Sequence, residues 1–360
     1  MKGPETMPNT KTNWTENLKR LGCLVAVLCF AVVVAGFLAP LQSRGARAER
    51  LCQKGLAAYE AKDFETAVKF YKEAADQGNL KAQTLVGIFY RKGMGVEQDY
   101  VEALKWLRPA AEQGFAPAQS ELGLCYECGF GVEQDYAVAV EWYKKAAEQG
   151  DAQGQIQLAA AYGLGRGIEQ DDEAAAEWMF KAADQGDDLA QYHLAVFYRD
   201  GRGVKQSDKN AVKWFKKAAE QGNVDAQFWY AWHCYHGIGD RKDEKEAAKW
   251  WRKAAEQGDA ESQNRFGFCC LGGKGVEQDQ EQAVEWFRKS AEQGFSAGQF
   301  SLGLCLYEGI GVEKDTSAAV ELWLKAAEQG LEGAKEHLEY YADQGDAEAQ
   351  KALDGLEKGD

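Results

Sequence analysis

Two thiols and two imidazoles stand at spacings that chemistry uses. Cys125-Tyr126-Glu127-Cys128 has the Cys-x-x-Cys arrangement of dithiol redox centres, and His233 and His236, three residues apart, could turn one helix face toward a metal. Neither pair has the rest of what its chemistry needs. Redox motifs hold the reactive sulfur at a helix N-terminus, where the macrodipole stabilises thiolate. Here Gly129 and Gly131 follow the pair, which puts it at a helix C-terminus, where the dipole opposes ionisation. Structural zinc takes four ligands, and no second pair of matching spacing follows His236. His193 and His337 are isolated and read as surface residues. Of the nine cysteines, Cys23 and Cys29 fall in an apolar run; Cys125, Cys269 and Cys305 share one position of a recurring pattern, Cys234 and Cys270 share the next, and Cys52 and Cys128 stand apart. That register reads as small apolar filling of a helix. Seven thiols outside the run are an odd number, which excludes a complete intramolecular disulfide framework. With no Walker loop or dinucleotide fingerprint, no catalytic residue, metal or cofactor is predicted.

The elements that position these side chains follow a period of 36 residues. Ala-Ala-Glu/Asp-Gln-Gly begins at Ala74, Ala110, Ala146, Ala182, Ala218, Ala254 and Ala326, with a Ser290-Ala291 version in between, and Gly-x-Gly recurs at the same interval from Gly93/Gly95 to Gly309/Gly311. Two stop signals per period predict two helices. Helix A should begin after Gln-Gly, capped by Asn79, Asp151, Asp187, Asn223 or Asp259, and end at Gly-x-Gly. Helix B should begin at Asp99, Asp135, Asp171, Ser207, Asp243, Asp279 and Asp315, with Asp99/Glu102 and Asp243/Glu246 at capping-box spacing. Within helix B, alanine precedes tryptophan by three residues, from Ala103/Trp106 to Ala283/Trp286, which lets helices approach closely. Pro109 replaces the lysine found at Lys145, Lys181 and Lys217, so that one helix B should bend or fray near its end.

A helical wheel gives helix A a constant packing face, Ala118, Gln119, Leu122, Gly123 and Tyr126 in one copy, and an opposite face that changes from copy to copy. On the changing face stand Tyr192, Phe228 and Phe300; Trp232 and Phe268; and Tyr235 and Tyr307, so aromatics concentrate in the fourth to seventh copies. Two readings follow: binding anchors in a groove, or rings packed beneath neighbouring helices. Arg91, Arg199 and Arg265 on the same face could pair with acidic groups of a peptide or be solvated surface charge.

The string Ala-Gln-x-x-Leu-Gly-x-x-Tyr-x-x-Gly-x-Gly-Val-x-x-Asp-x-x-x-Ala-x-x-Trp-x-x-x-Ala-Ala-x-Gln-Gly resembles the Sel1-like repeat, a relative of the tetratricopeptide repeat, over about residues 50–345. The resemblance implies an all-α, right-handed α/α solenoid (superhelix) of helix-turn-helix repeats whose changing face lines a concave groove. It also implies a non-catalytic scaffold or adaptor that holds another protein or peptide there. The contacts expected are Tyr192, Phe228, Trp232, Tyr235, Phe268, Phe300, Tyr307, Arg91 and Arg199. Some members of the family are linked to β-lactam binding or hydrolysis, but no Ser-x-x-Lys with supporting motifs occurs here; a purely structural spacer is the other alternative. The expected layout is a polar segment 1–20, an apolar segment 21–39, a linker 40–49, and an opening half-repeat 50–78. Full repeats follow at 79–114, 115–150, 151–186, 187–222, 223–258, 259–294 and 295–330, then capping helices over 331–360.

Charge and hydropathy add two expectations. The net charge of -15 divides into +4 over residues 1–50 and -19 over the rest, which disfavours nucleic acid as a partner. The nineteen-residue run 21–39, flanked by Lys19, Arg20, Arg44 and Arg47, is long enough to cross a bilayer. It predicts one transmembrane helix or signal-anchor, a single-pass membrane location, and repeats on the extracytoplasmic side.

Overall fold

A computed structural model describes residues 45–356, and among these the chain is entirely helical, with eighteen helices and no strand. After α1 over 45–60 come α2 (Phe64–Ala75), α3 (Leu80–Lys92), α4 (Tyr100–Glu112), α5 (Ala116–Cys128) and α6 (Tyr136–Glu148). These are followed by α7 (Ala152–Leu164), α8 (Asp172–Asp184), α9 (Asp188–Asp200), α10 (Asp208–Glu220), α11 (Val224–His236) and α12 (Glu244–Glu256). The last are α13 (Ala260–Gly272), α14 (Gln280–Glu292), α15 (Ser296–Glu308), α16 (Thr316–Glu328), α17 (Glu332–Asp343) and α18 (Ala347–Leu356). They form two compact units, one ending at Gln149 and the other beginning at Gly150. In each unit helices A and B alternate as a repeat solenoid.

The expected caps are in place. Asn223 accepts from the Ala226 amide, Asp243 from Glu246 and Asp259 from Ser262, and every A helix from α3 to α15 ends on a glycine in the left-handed region. The capping-box glutamates differ from expectation. The Asp243 amide donates to the Cys234 carbonyl, 2.8 Å, which frees Glu246 to accept from the Trp250 indole at 2.6 Å; Glu102 does the same for Trp106 at 3.2 Å. α4 also keeps the thirteen-residue span of the other B helices despite Pro109, so the expected fraying does not occur. What the proline removes is a cation–π contact. In the copies that carry lysine there, its ammonium lies over the tryptophan one turn earlier, Lys145 at 4.0 Å, Lys181 at 3.6 Å, Lys217, Lys253 and Lys289 at 4.0 Å.

The constant glutamines of the two motifs meet. Buried Gln227 of α11 donates to the Ala219 carbonyl of α10 at 3.2 Å and accepts from Gln257, at the end of α12, at 2.9 Å. The same link joins Gln263 to Ala255 and Gln293. Each such glutamine ties three successive helices while its own buried amide is satisfied, which is the condition for burying it. The second glycine of Gly-x-Gly sets how the linking loop lies. Gly239, at φ +77°, presses on the N-terminus of α10, where a Cβ would come within 2.6 Å of the Asp208 carbonyl carbon and oxygen.

The expected single-pass membrane location is corrected. Among the described residues no helix is long and apolar enough to cross a membrane. Thirteen residues rise about 20 Å against a hydrocarbon core of roughly 30 Å. The run 21–39 that prompted the expectation lies outside the described residues, and the extracytoplasmic placement of the repeats is withdrawn with it.

Candidate partner-binding surface

On α11 the residues Trp232, Tyr235 and His236 follow at helical spacings of three and four, so they share one face. On α13, Arg265 and Phe268 are one turn apart. These two A helices, with the B helix between them, enclose a pocket of about 330 Å³ lined by Trp232, Tyr235, Trp251, Arg265, Phe268 and, from the following loop, Lys274. Its walls are braced by ring contacts. Tyr235 lies 5.3 Å from Trp251, His236 lies 4.2 Å from Trp232, and the Arg265 guanidinium sits 4.9 Å from the Trp232 ring. Lys274 donates to the Tyr235 hydroxyl at 2.8 Å, which holds its ammonium above the ordinary lysine range. Phe268 keeps 43% of its surface exposed while its inner edge meets Phe287 at 5.0 Å. An exposed ring held rigid on one side is the geometry of a binding anchor.

The sequence-predicted residues divide. Trp232, Tyr235 and Phe268 come together in this pocket, and half-buried Phe228 adjoins it, stacked on Trp232 at 6.4 Å. Tyr192 lies one copy earlier against Phe215, 5.9 Å away. Phe300 and Tyr307 lie instead beneath the C-terminal helices: Phe300 faces His337 at 4.8 Å, and Tyr307 lies 4.0 Å from Tyr341 and donates to Asp346 at 3.2 Å. Arg91, in the first unit, is paired with Glu121 at 2.9 Å with only 13% of its side chain exposed. Arg199 is paired with Asp200 at 2.7 Å and lies over Trp229. Sequence reasoning missed Trp251 and Lys274, and named His236 only as half of a metal-ligand pair. Trp251 was legible in principle, because its position reads Leu107, Tyr143, Met179, Phe215, Trp251, Phe287 and Trp323, a helix B position of changing bulk that faces helix A.

The groups with catalytic potential have structural partners. His233 is buried, bonds through Nδ1 to the Trp229 carbonyl at 2.7 Å, and is held below the ordinary histidine range by burial. His236, one turn on, is exposed, and among the described residues no three His, Cys, Asp or Glu are grouped for a metal. The seven described thiols are free. Burial pushes Cys125 and Cys269 up to about 12 and Cys234, Cys270 and Cys305 up to about 11. Cys128, the exposed partner of the Cys-x-x-Cys pair, is raised by partial burial and Glu127. Iodoacetamide at pH 8, read by peptide mass spectrometry, should therefore label Cys128 well before Cys125, Cys269 and Cys305 in the folded chain, whereas denaturant should equalise them. Comparable native labelling would contradict burial as their role. Because the fold favours the neutral thiols, the stability they add is full below the free value of 9.0 and lost as pH rises toward 12.

A second cavity, of about 350 Å³, lies in the first unit among Cys52, Leu56, Tyr59, Leu85, Phe89 and Met94. None of its lining side chains is among the described buried donors that lack an acceptor.

Comparison with known proteins follows the same register. The family model described as Sel1 repeat matches eight times in succession, over residues 46–79, 80–115, 116–151, 152–187, 188–223, 224–259, 260–295 and 296–331; the first match takes in the opening unit. The chain is similar to the structure of c5321, a protective antigen present in uropathogenic Escherichia coli strains displaying an SLR fold. Identity is 37%, the TM-score is 0.73, and the match covers 81% of this chain and 64% of that one. It is also similar to a Sel1 repeat protein from Oxalobacter formigenes, at 34% identity and TM-score 0.60, covering 85% of this chain and 91% of that one. A search of curated proteins returned no match.

Proposed function

The chain belongs to the Sel1 repeat family, and from that premise we propose that it is a non-catalytic scaffold holding a peptide segment or partner protein against the changing face of its A helices. Sel1 repeat proteins generally mediate interactions with other proteins, and their fold is typically a non-catalytic interaction scaffold. The observation that carries the reading is the pocket between α11 and α13. It is an aromatic recess with exposed Phe268 at its edge, set on the face that differs between copies while the glutamine links and glycine stops stay constant. A repeat frame that leaves one face free to vary is how solenoids make binding surfaces. Trp232, Tyr235 and Phe268 are the central contacts, with Phe228 and Tyr192 extending them. Phe300, Tyr307 and Arg91 serve packing, and Arg199 flanks the surface. Cys269 and His236, the nucleophilic and basic groups in the lining, support binding over catalysis. Burial keeps the thiol neutral, and the imidazole lies tilted against Trp232, 4.2 Å away.

Affinity capture from an extract of the source cells tests this reading, with the wild type beside Trp232→Ala/Phe268→Ala and, as control, Phe180→Ala. Phe180 is a comparably exposed ring on α8, outside the pocket. A partner should be retained by the wild type and the control and fall about tenfold or more with the double variant, provided circular dichroism shows equal folding. Equal retention by all three would remove the site from this face.

A further inference from the structure

The pocket holds two hydrogen-bond donors that nothing described satisfies. Trp251 is 3% exposed, and its indole N–H is buried without an acceptor among the described residues; the same is true of Arg265 Nε. Buried donors are ordinarily paired, because an unmade bond leaves the desolvation uncompensated. The chain contains its own comparison. Trp323 occupies the position of Trp251 two copies later, and there the indole donates to the Phe300 carbonyl at 3.2 Å. Tyr341, which corresponds to Cys269, stacks on Trp323 at 5.4 Å with an interplanar angle of 8°. At the C-terminal end the indole thus has an acceptor and a ring over it. Between α11 and α13 a small cysteine stands where that ring would be, the pocket opens, and the donor is left for something else.

Charge indicates what that is. Arg265 and Lys274 line the pocket, and Lys242 lies 5.4 Å from the Tyr235 ring. Two carboxylates face these cations: Glu261 pairs with Arg265 through a terminal nitrogen at 3.3 Å, and Glu244, near Lys274, pairs with Lys242 at 2.7 Å. The lining itself carries Arg265 and Lys274 and no carboxylate, within a stretch, residues 51–360, whose net charge is -19. We propose that this pocket takes an acidic side chain of a peptide, its carboxylate accepting from Arg265 Nε and the Trp251 indole, with a neighbouring aromatic or aliphatic side chain against Trp232, Tyr235 and Phe268. The proposal rests on the reading that this pocket is the partner site. Arginine suits the role because its planar fork can hold Glu261 at one nitrogen and offer Nε to a second oxygen.

Selection of a random twelve-residue phage-displayed peptide library on the full-length protein tests it. Enriched peptides should carry Asp or Glu within two residues of an aromatic or long aliphatic residue. Synthetic copies should lose about ten- to hundredfold in affinity on Arg265→Gln, the range of a hydrogen bond to a charged group. Trp251→Phe, which keeps an aromatic ring and loses the donor, should weaken binding severalfold, and replacing the peptide's Glu by Gln should weaken both the wild type and Trp251→Phe. Amidating the peptide C-terminus should change nothing; a loss there would overturn the side-chain assignment in favour of a terminal carboxylate. Enriched peptides that lack acidic residues yet depend on Trp232 and Phe268 would overturn this inference and leave the scaffold reading standing. Peptides indifferent to Trp232→Ala/Phe268→Ala, or no enrichment, would overturn both.

Discussion

Phe287→Ala is expected to cost about 3–5 kcal/mol locally, the range for removing a fully buried aromatic ring. Phe287 is 0% exposed, and its ring edge occupies the space where a Cβ on Gly267 would lie, 2.6 Å from Cε1. It therefore spaces α13 from α14 and supports Phe268 from behind at 5.0 Å. In an array whose repeats touch mainly their neighbours, such a loss need not unfold the whole chain. Amide hydrogen exchange of α13 and α14 is the suitable readout: protection should collapse there and persist in α9 and α10. Gly267→Ala in the Phe287→Ala background should restore part of the loss, because its methyl enters vacated volume. Unchanged exchange in α13 and α14 would show that the ring does not set their spacing.

Gly239→Ala is expected to cost about 2–5 kcal/mol, from placing a side chain in the left-handed region and from overpacking. The obstruction is backbone, the Asp208 carbonyl group at 2.6 Å and the Lys209 nitrogen at 3.0 Å, so no flexible side chain can swing aside. This loop joins α11 to α12, and its displacement moves Tyr235 relative to Trp251 as well as lowering stability. Thermal unfolding should show the loss, and the Trp251→Phe difference in tryptophan fluorescence should change with it. Gly258→Ala is the control: it lies at φ +100° but has nothing within 4 Å of a Cβ, so it carries the backbone cost alone. Equal effects at the two glycines would contradict the packing role of Gly239.

Most of the frame was legible because it repeats. Caps at Asn223, Asp243 and Asp259 and the glycine stops follow from local chemistry, which each copy states again. The contacts that join copies were harder to read, since Gln227 and Gln257, or Arg91 and Glu121, lie thirty residues apart and no single-helix pattern links them. Position in the array decided the aromatics. Tyr307 and Tyr235 occupy the same register, yet α17 brings Tyr341 onto the first, while Cys269 leaves the second beside an open pocket. Trp251 was hidden for another reason: the regular Trp250 beside it, which packs under Lys253, drew the tryptophan signal to the wrong face of helix B. The apolar run 21–39 gave a strong hydropathy signal, but the thirteen-residue helices of the repeats are too short to carry a membrane span.

We propose that a partner is held in the pocket of α11–α13. The most direct test is the dissociation constant of the captured partner, purified, for the wild type, Trp232→Ala/Phe268→Ala and Phe180→Ala, at equal helicity and equal hydrogen-exchange protection of the frame. At least a tenfold weakening confined to the pocket variant is expected. Equal constants for all three proteins would contradict it.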